Sequence, residues 1–117
     1  MAFEDLEVWQ KAARLSGNIY KELRTLKDYG FKDQITRSGL SIPSNIAEGI
    51  ERTSDKETLT FLAYAKGSSA ELRTQIYIGM DIGYIPKETG KSWIEETRNI
   101  SAMLVGLMKS IKGEAKF

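Results

Sequence analysis

The sequence predicts an all-α protein, an antiparallel up-down-up-down four-helix bundle forming a single domain over residues 1–117. Three observations lead there. Apolar residues recur at helical spacing, most plainly near the N-terminus. Both prolines and the clearest breaks divide the chain into four long segments. The connections between those segments are short, which favours antiparallel neighbours.

The first helix is expected from about Phe3 to Leu26, with Lys27-Asp28-Tyr29-Gly30 as its stop. A glycine just past the last periodic residue commonly ends a helix. Wound at about 100° per residue, its apolar residues fill an arc of roughly 180°. A helix that covers one bundle core needs a stripe of only about 100° or slightly more. Two seams lie side by side: Leu6, Trp9, Ala13, Tyr20 and Leu23 beside Val8, Ala12, Leu15, Ile19 and Leu26. The surplus seam is expected to seek a second partner.

The second helix is expected from about Phe31 to Ile50. Pro43 lies inside it, removing a backbone donor and crowding the preceding turn. Ile35, Ile42, Ile46 and Ile50 keep one phase across the proline, which favours a continuous helix kinked near Pro43 over a fresh start capped by Ser41. The third helix spans about Asp55 to Ile82, with Thr53, Ser54 or Asp55 available as its cap. With Ser54 as cap, Glu57 three residues on completes a capping box. Gly83-Tyr84-Ile85-Pro86 ends that helix, and Pro86 suits the first turn of a fourth helix reaching about Ile111.

The third helix is apolar nearly all round, with Leu59, Phe61, Leu62, Tyr64, Leu72, Ile76, Tyr77, Ile78 and Ile82 leaving little polar face. Such a helix is buried on several sides. Gly67-Ser68-Ser69-Ala70 interrupts the bulk with small side chains and permits close helix approach. A lone bundle gives every helix a solvent side, so subunit association is expected. The predicted interface combines Val8, Ala12, Leu15, Ile19 and Leu26 with Phe61 and Tyr64. On that reading, Leu15→Asp or Ile19→Asp dissociates the assembly and leaves helix content intact.

Composition narrows the function classes. With 41% hydrophobic and 28% charged residues in 117, the chain is an ordinary globular mixture able to bury a core. Cysteine is absent, which excludes disulfides, thiolate zinc sites and thiol nucleophiles. Histidine is absent too, removing the usual general base at neutral pH and the commonest metal ligand. The N-terminus is acidic rather than signal-like, and no stretch is apolar enough to span a membrane, so a cytoplasmic location is expected. Net charge is only +1, and the sole basic lean is in residues 85–117. A dedicated nucleic-acid binder carries a stronger electrostatic footprint.

No catalytic residue, metal ligand or cofactor site is predicted. Glu48 and Glu71 lie near the middle of the two central helices, but di-iron bundles pair their glutamates with histidines. Asn45 and Glu48, on a polar row of helix 2 edged by Arg37, are expected to join Glu71, Arg73 and Gln75 in a structural hydrogen-bonded network. Trp9, Tyr20, Tyr64, Tyr77 and Trp93 read as core or interface anchors rather than base-stacking platforms. Lys109, Lys112 and Lys116 favour the C-terminal end of helix 4 through its dipole, and are also the best phosphate contacts in the chain.

Several strings resemble one family. Phe3-Glu4-Asp5-Leu6-Glu7-Val8-Trp9-Gln10 opens the chain, Gln34-Ile35-Thr36-Arg37-Ser38 leads into Ser41-Ile42-Pro43-Ser44-Asn45-Ile46-Ala47-Glu48-Gly49, and Ala65 to Gln75 and Gly83-Tyr84-Ile85 follow. Together they resemble the four-helix-bundle proteins encoded in intervening sequences of bacterial 23S ribosomal RNA genes. The Ile-Pro-Ser-Asn-Ile-Ala-Glu-Gly string is the most specific of them. The resemblance implies an up-down-up-down bundle, a ring of five subunits, and kinship with accessory proteins of diversity-generating retroelements, which bind nucleic acid and a reverse transcriptase. The expected function is a non-enzymatic homo-oligomeric scaffold for a protein or ribonucleoprotein partner. The alternative is an RNA-binding module in which Lys109, Lys112 and Lys116 are repeated around the oligomer, where symmetry multiplies a modest patch.

Overall fold

The computed structural model describes residues 1–113 as four helices with no strand among them. They are α1 (Glu7–Leu23), α2 (Tyr29–Ile50), α3 (Asp55–Asp81) and α4 (Lys87–Lys112), with a short 3₁₀ turn at Phe3–Asp5 before α1. Each helix packs on its neighbour in sequence, and α1 closes the square by touching α4 less extensively. Contacts between helices run in opposite directions along each pair. Ser38, Ser41 and Gly49 of α2 meet Glu71, Ser68 and Thr58 of α3 respectively, so α2 and α3 are antiparallel. Ser69 and Tyr77 of α3 likewise meet Ser101 and Arg98 of α4.

The expected α-helical start at Phe3 is corrected: Leu6 adopts an extended conformation and separates the 3₁₀ turn from α1. The Phe3 ring packs edge-on against Trp9 at 5.3 Å between centroids. The turn thus folds back over an aromatic that the bundle does not enclose. Gly30 is not a helix stop either. Asp28 accepts a hydrogen bond from the Phe31 amide (3.1 Å) and starts α2 at Tyr29, placing Gly30 in its first turn. That cap satisfies an orphan donor of the new helix and outweighs the breaking tendency of one glycine. The helix α2 then runs without interruption through Pro43, as the shared phase of its isoleucines predicts.

Ser54 caps α3, accepting from the Glu57 amide at 3.2 Å, and its hydroxyl donates back to the Glu57 carboxylate at 3.0 Å. Pro86 is the residue before α4 rather than part of its first turn. The core is contributed by all four helices: Ala12, Leu15, Ile19, Ile35, Ile42, Ile46, Leu62, Leu72, Ile76, Ile100 and Leu104 are fully buried. Trp93 and Ile85 close its end.

Asp28 also ties the two loops at one end of the bundle, accepting from the Tyr84 hydroxyl at 2.9 Å. The Phe31 amide first, and the Tyr84 hydroxyl second, hold its carboxyl below the usual carboxylate range, and the same contact pushes the Tyr84 hydroxyl up. A folded-state pKa below the unfolded one adds stability above about pH 4, and that stability is lost as pH falls through the depressed value. Asp28→Ala is therefore expected to lower the thermal midpoint at neutral pH, and the gap to the unaltered protein should narrow on acidification. Melts followed by circular dichroism at several pH values check this; a gap that stays constant would remove the carboxylate from the explanation.

Candidate functional site

The predicted interface divides in two. Val8, Ala12, Leu15 and Ile19 are 4%, 0%, 0% and 0% exposed, so this seam is the chain's own core and the expectation that it faces a partner is corrected. Its branched and small side chains suit the close-packed interior between four helices. The companion seam lies mostly at the rim, where Leu6, Trp9 and Ala13 are half-buried and Tyr20 is exposed, while its last member, Leu23, is buried in the core. Leu26, also assigned to the interface, lies beyond the end of α1 and is half-buried against the core. Phe61 is half-buried, edge-on to Tyr64 at 5.7 Å and under the Arg52 guanidinium at 4.6 Å. Tyr64 is 56% exposed.

The outer face of α3 is where apolar surface is left open. Tyr64, Tyr77, Ile78 and Ile82 are each about half exposed. Between Tyr64 and Tyr77 the exposed positions are Ala70, Gly67, Lys66, Glu71 and Thr74. Gly67, Ala70 and Thr74 leave a shallow strip with bulky apolar ends, and Lys66 and Glu71 carry opposite charges along it. Leu40 on α2, 48% exposed, adds a separate apolar point beside a groove of about 340 Å³ lined by Phe3, Trp9, Ala13 and Pro43.

The predicted polar network exists only in pieces. Asn45 donates to the Ser41 carbonyl and hydroxyl, both at 2.9 Å, and the Ser41 hydroxyl reaches Ser68 across the α2–α3 seam. One turn away, the Ser38 hydroxyl donates to Glu71 at 2.9 Å. Arg73 belongs to the other side of α3: it donates to the Thr97 hydroxyl and carbonyl and to the Ser101 hydroxyl of α4. Ser69 shares that Thr97 carbonyl. Arg37 and Glu48 are exposed and satisfied by near neighbours in sequence, Arg37 by Asp33 of the same helix at 2.9 Å and Glu48 by Arg52, just past the end of α2, at 3.3 Å. They are corrected to surface pairs, because each lies one side too far round α2 to enter the seam. Gln75 joins neither set, and among the described residues its buried carbonyl oxygen has no protein donor.

Lys109 and Lys112 are exposed on the last turn of α4, against the negative end of its dipole. Lys116 lies outside the described residues. At the opposite end of a molecule 46 Å long, the α1–α2 junction gathers a second set of cations that sequence reading passed over. Tyr20, Arg24, Tyr29, Lys32, Asp33 and Thr36 line a groove of about 590 Å³ there. The Lys32 ammonium lies 5.0 Å from the centre of the Tyr29 ring and donates to the Arg24 carbonyl at 3.4 Å. The signal was present as Lys21, Arg24, Lys27 and Lys32 interleaved with Tyr20 and Tyr29.

Among the described residues no three acidic side chains converge to hold a metal ion, and no helix is long and apolar enough to cross a membrane. Glu48 and Glu71, the carboxylates near the middle of the two central helices, are held by different partners, Arg52 and Ser38.

Comparison with known proteins agrees with this architecture. No curated protein matches the chain. Among solved structures it is similar to a protein of unknown function from the S23 ribosomal protein family of Bacteroides thetaiotaomicron, at 26% identity and a TM-score of 0.81, over 87% of this chain and 98% of that one. The family model described as 23S rRNA-intervening sequence protein matches residues 4–106. That match, over most of the chain and in keeping with the bundle, places the chain in the family of 23S rRNA-intervening sequence proteins.

Proposed function

We propose that the protein is a non-enzymatic helical scaffold that associates with copies of itself, in a ring of five on the family resemblance, and presents a protein or ribonucleoprotein partner with a repeated surface. The observation that carries this reading is the outer face of α3, where Tyr64, Tyr77, Ile78 and Ile82 remain about half exposed. Exposed apolar patches of that kind mark association sites more often than solvated surface. The interface therefore moves from the Val8–Ile19 seam to α3. Leu40 and the groove lined by Phe3, Trp9 and Pro43 offer a different apolar surface, and two unlike patches on one chain suit a head-to-tail contact that closes as a ring.

Sedimentation at high micromolar concentration tests this. The protein is expected to run well above its single-chain mass of 13.2 kDa. A Tyr64→Asp/Ile78→Asp variant should fall to that mass with its helix content retained, since exposed substitutions change stability by only about 0.5 kcal/mol. A compact monomer before substitution, or an unchanged assembly after it, removes α3 as the interface.

A further inference from the structure

The groove at the α1–α2 junction lies apart from the α3 face, and its chemistry is different. Two tyrosines form apolar walls there, Tyr20 at 46% and Tyr29 at 68% exposure. Two cations, Arg24 and Lys32, line the same space. Among the described residues neither lies within ion-pairing distance of a carboxylate, in contrast to Arg37, Arg52 and Arg98. The nearby acids are already engaged. Asp33 is held by Arg37 at 2.9 Å, and Asp28 faces the Phe31 amide and the Tyr84 hydroxyl. The groove is thus aromatic and positive, with its positive charge left for a ligand to neutralise.

We propose that this groove binds a nucleoside 5′-phosphate, its base stacked on Tyr29 or Tyr20 and its phosphate held by Arg24 and Lys32. A volume of about 590 Å³ lies within the range of small-molecule sites, roughly 300–1,000 Å³. Stacking accepts any base, because each has a π-face, and the cations fix the anionic end. Lys32 is already positioned, its ammonium held by the Tyr29 ring and the Arg24 backbone carbonyl before a ligand arrives. The hydroxyl of Thr36 donates to backbone carbonyls of its own helix, so its oxygen keeps acceptor capacity for a ribose hydroxyl. The same chemistry is offered by a free nucleotide and by the 5′-phosphorylated end of a single strand.

The test is a titration of the full chain followed by backbone amide shifts, using adenosine 5′-monophosphate, adenosine, inorganic phosphate and a short 5′-phosphorylated oligoadenylate. The monophosphate is expected to saturate, with shifts confined to the α1–α2 junction. Tyr29→Ala and an Arg24→Ala/Lys32→Ala variant should each weaken it about tenfold or more, Tyr29→Phe should restore it, and Lys109→Ala/Lys112→Ala should leave it unchanged. These positions are exposed or half-buried, so the variants keep the fold. If the oligonucleotide binds more tightly than the monophosphate, the natural source is a strand end; if equally or less, it is the free nucleotide. Inorganic phosphate binding as tightly as the monophosphate, or no saturation by either nucleotide form, overturns the proposal. Because both walls come from one chain, the Tyr64→Asp/Ile78→Asp variant should bind equally well, which separates this site from the association.

Discussion

Leu15→Asp is expected to abolish the folded bundle altogether, not to release intact subunits. Leu15 is 0% exposed, among Ala12 and Ile19 on its own helix and the isoleucines of α2. Losing a buried leucine side chain costs about 2–5 kcal/mol, and a carboxylate placed there has no cationic partner, adding several more. The total reaches the roughly 5–15 kcal/mol that holds a typical domain together. Far-UV circular dichroism should lose the helical signal and its cooperative melt. The paired surface variant Tyr64→Asp should keep both. A helical, cooperatively melting Leu15→Asp protein of lower mass would instead return the Val8–Ile19 seam to an interface.

The contrast shows what helical periodicity reveals and what it omits. The four helices, a cap for α3 among Thr53, Ser54 and Asp55, and the continuity of α2 were all legible, because each rests on a local rule: spacing, a cap, a shared phase. Periodicity also found that α1 has a wider apolar arc than one bundle core needs. It did not say which half points inward, since that depends on the cross-section left by the other three helices. The interior takes Ala12, Leu15 and Ile19, while the larger Trp9 stays at the rim under the Phe3 ring. Gly30 was misread for a similar reason. A glycine looks like a stop until the hydrogen bond from Phe31 to Asp28 shows that a helix is already starting.

Polar residues were harder still. Asn45, Glu71 and Arg73 are expected in one network, but Asn45 and Glu71 belong to the α2–α3 seam and Arg73 to the α3–α4 seam. A residue type announces a need for partners, whereas the helix facing it at that level supplies them. The partners turned out to be hydroxyls: Ser38, Ser41 and Ser68 on one seam, and Ser69, Thr97 and Ser101 on the other. Small hydroxyls on an apolar stripe look like neutral spacing in a sequence. The tyrosine and lysine groove escaped notice because its two walls come from separate helices, and only the turn between them brings Tyr20 near Lys32.

Glycines on α3 separate packing from propensity, and Gly79→Val carries the second large effect. The Gly79 carbonyl accepts from both the Tyr84 and Ile85 amides, at 2.8 and 3.0 Å, so the loop before α4 is folded directly over this residue. Gly83, at a φ of 82°, supplies the left-handed turn that makes the return possible. Ile85 is 2% exposed and fills the space where a side chain would stand. A Cβ at Gly79 would come within 2.9 Å of Ile85 Cγ1 and 3.1 Å of Phe31 Cζ. Valine adds two methyl groups to that crowding and must lift Ile85 or bend α3, an overpacking cost of about 1–3 kcal/mol plus the lost burial of Ile85. The thermal midpoint is expected to fall by roughly 10 °C or more. Gly67, on the same helix, has nothing within 4 Å of a Cβ. There alanine should gain helix propensity and raise stability by about 0.5–1 kcal/mol. Thermal melts of the two variants at a concentration that holds the assembly state constant distinguish the causes. Equal shifts of the same sign would mean that backbone propensity, not the seat of Ile85, governs Gly79.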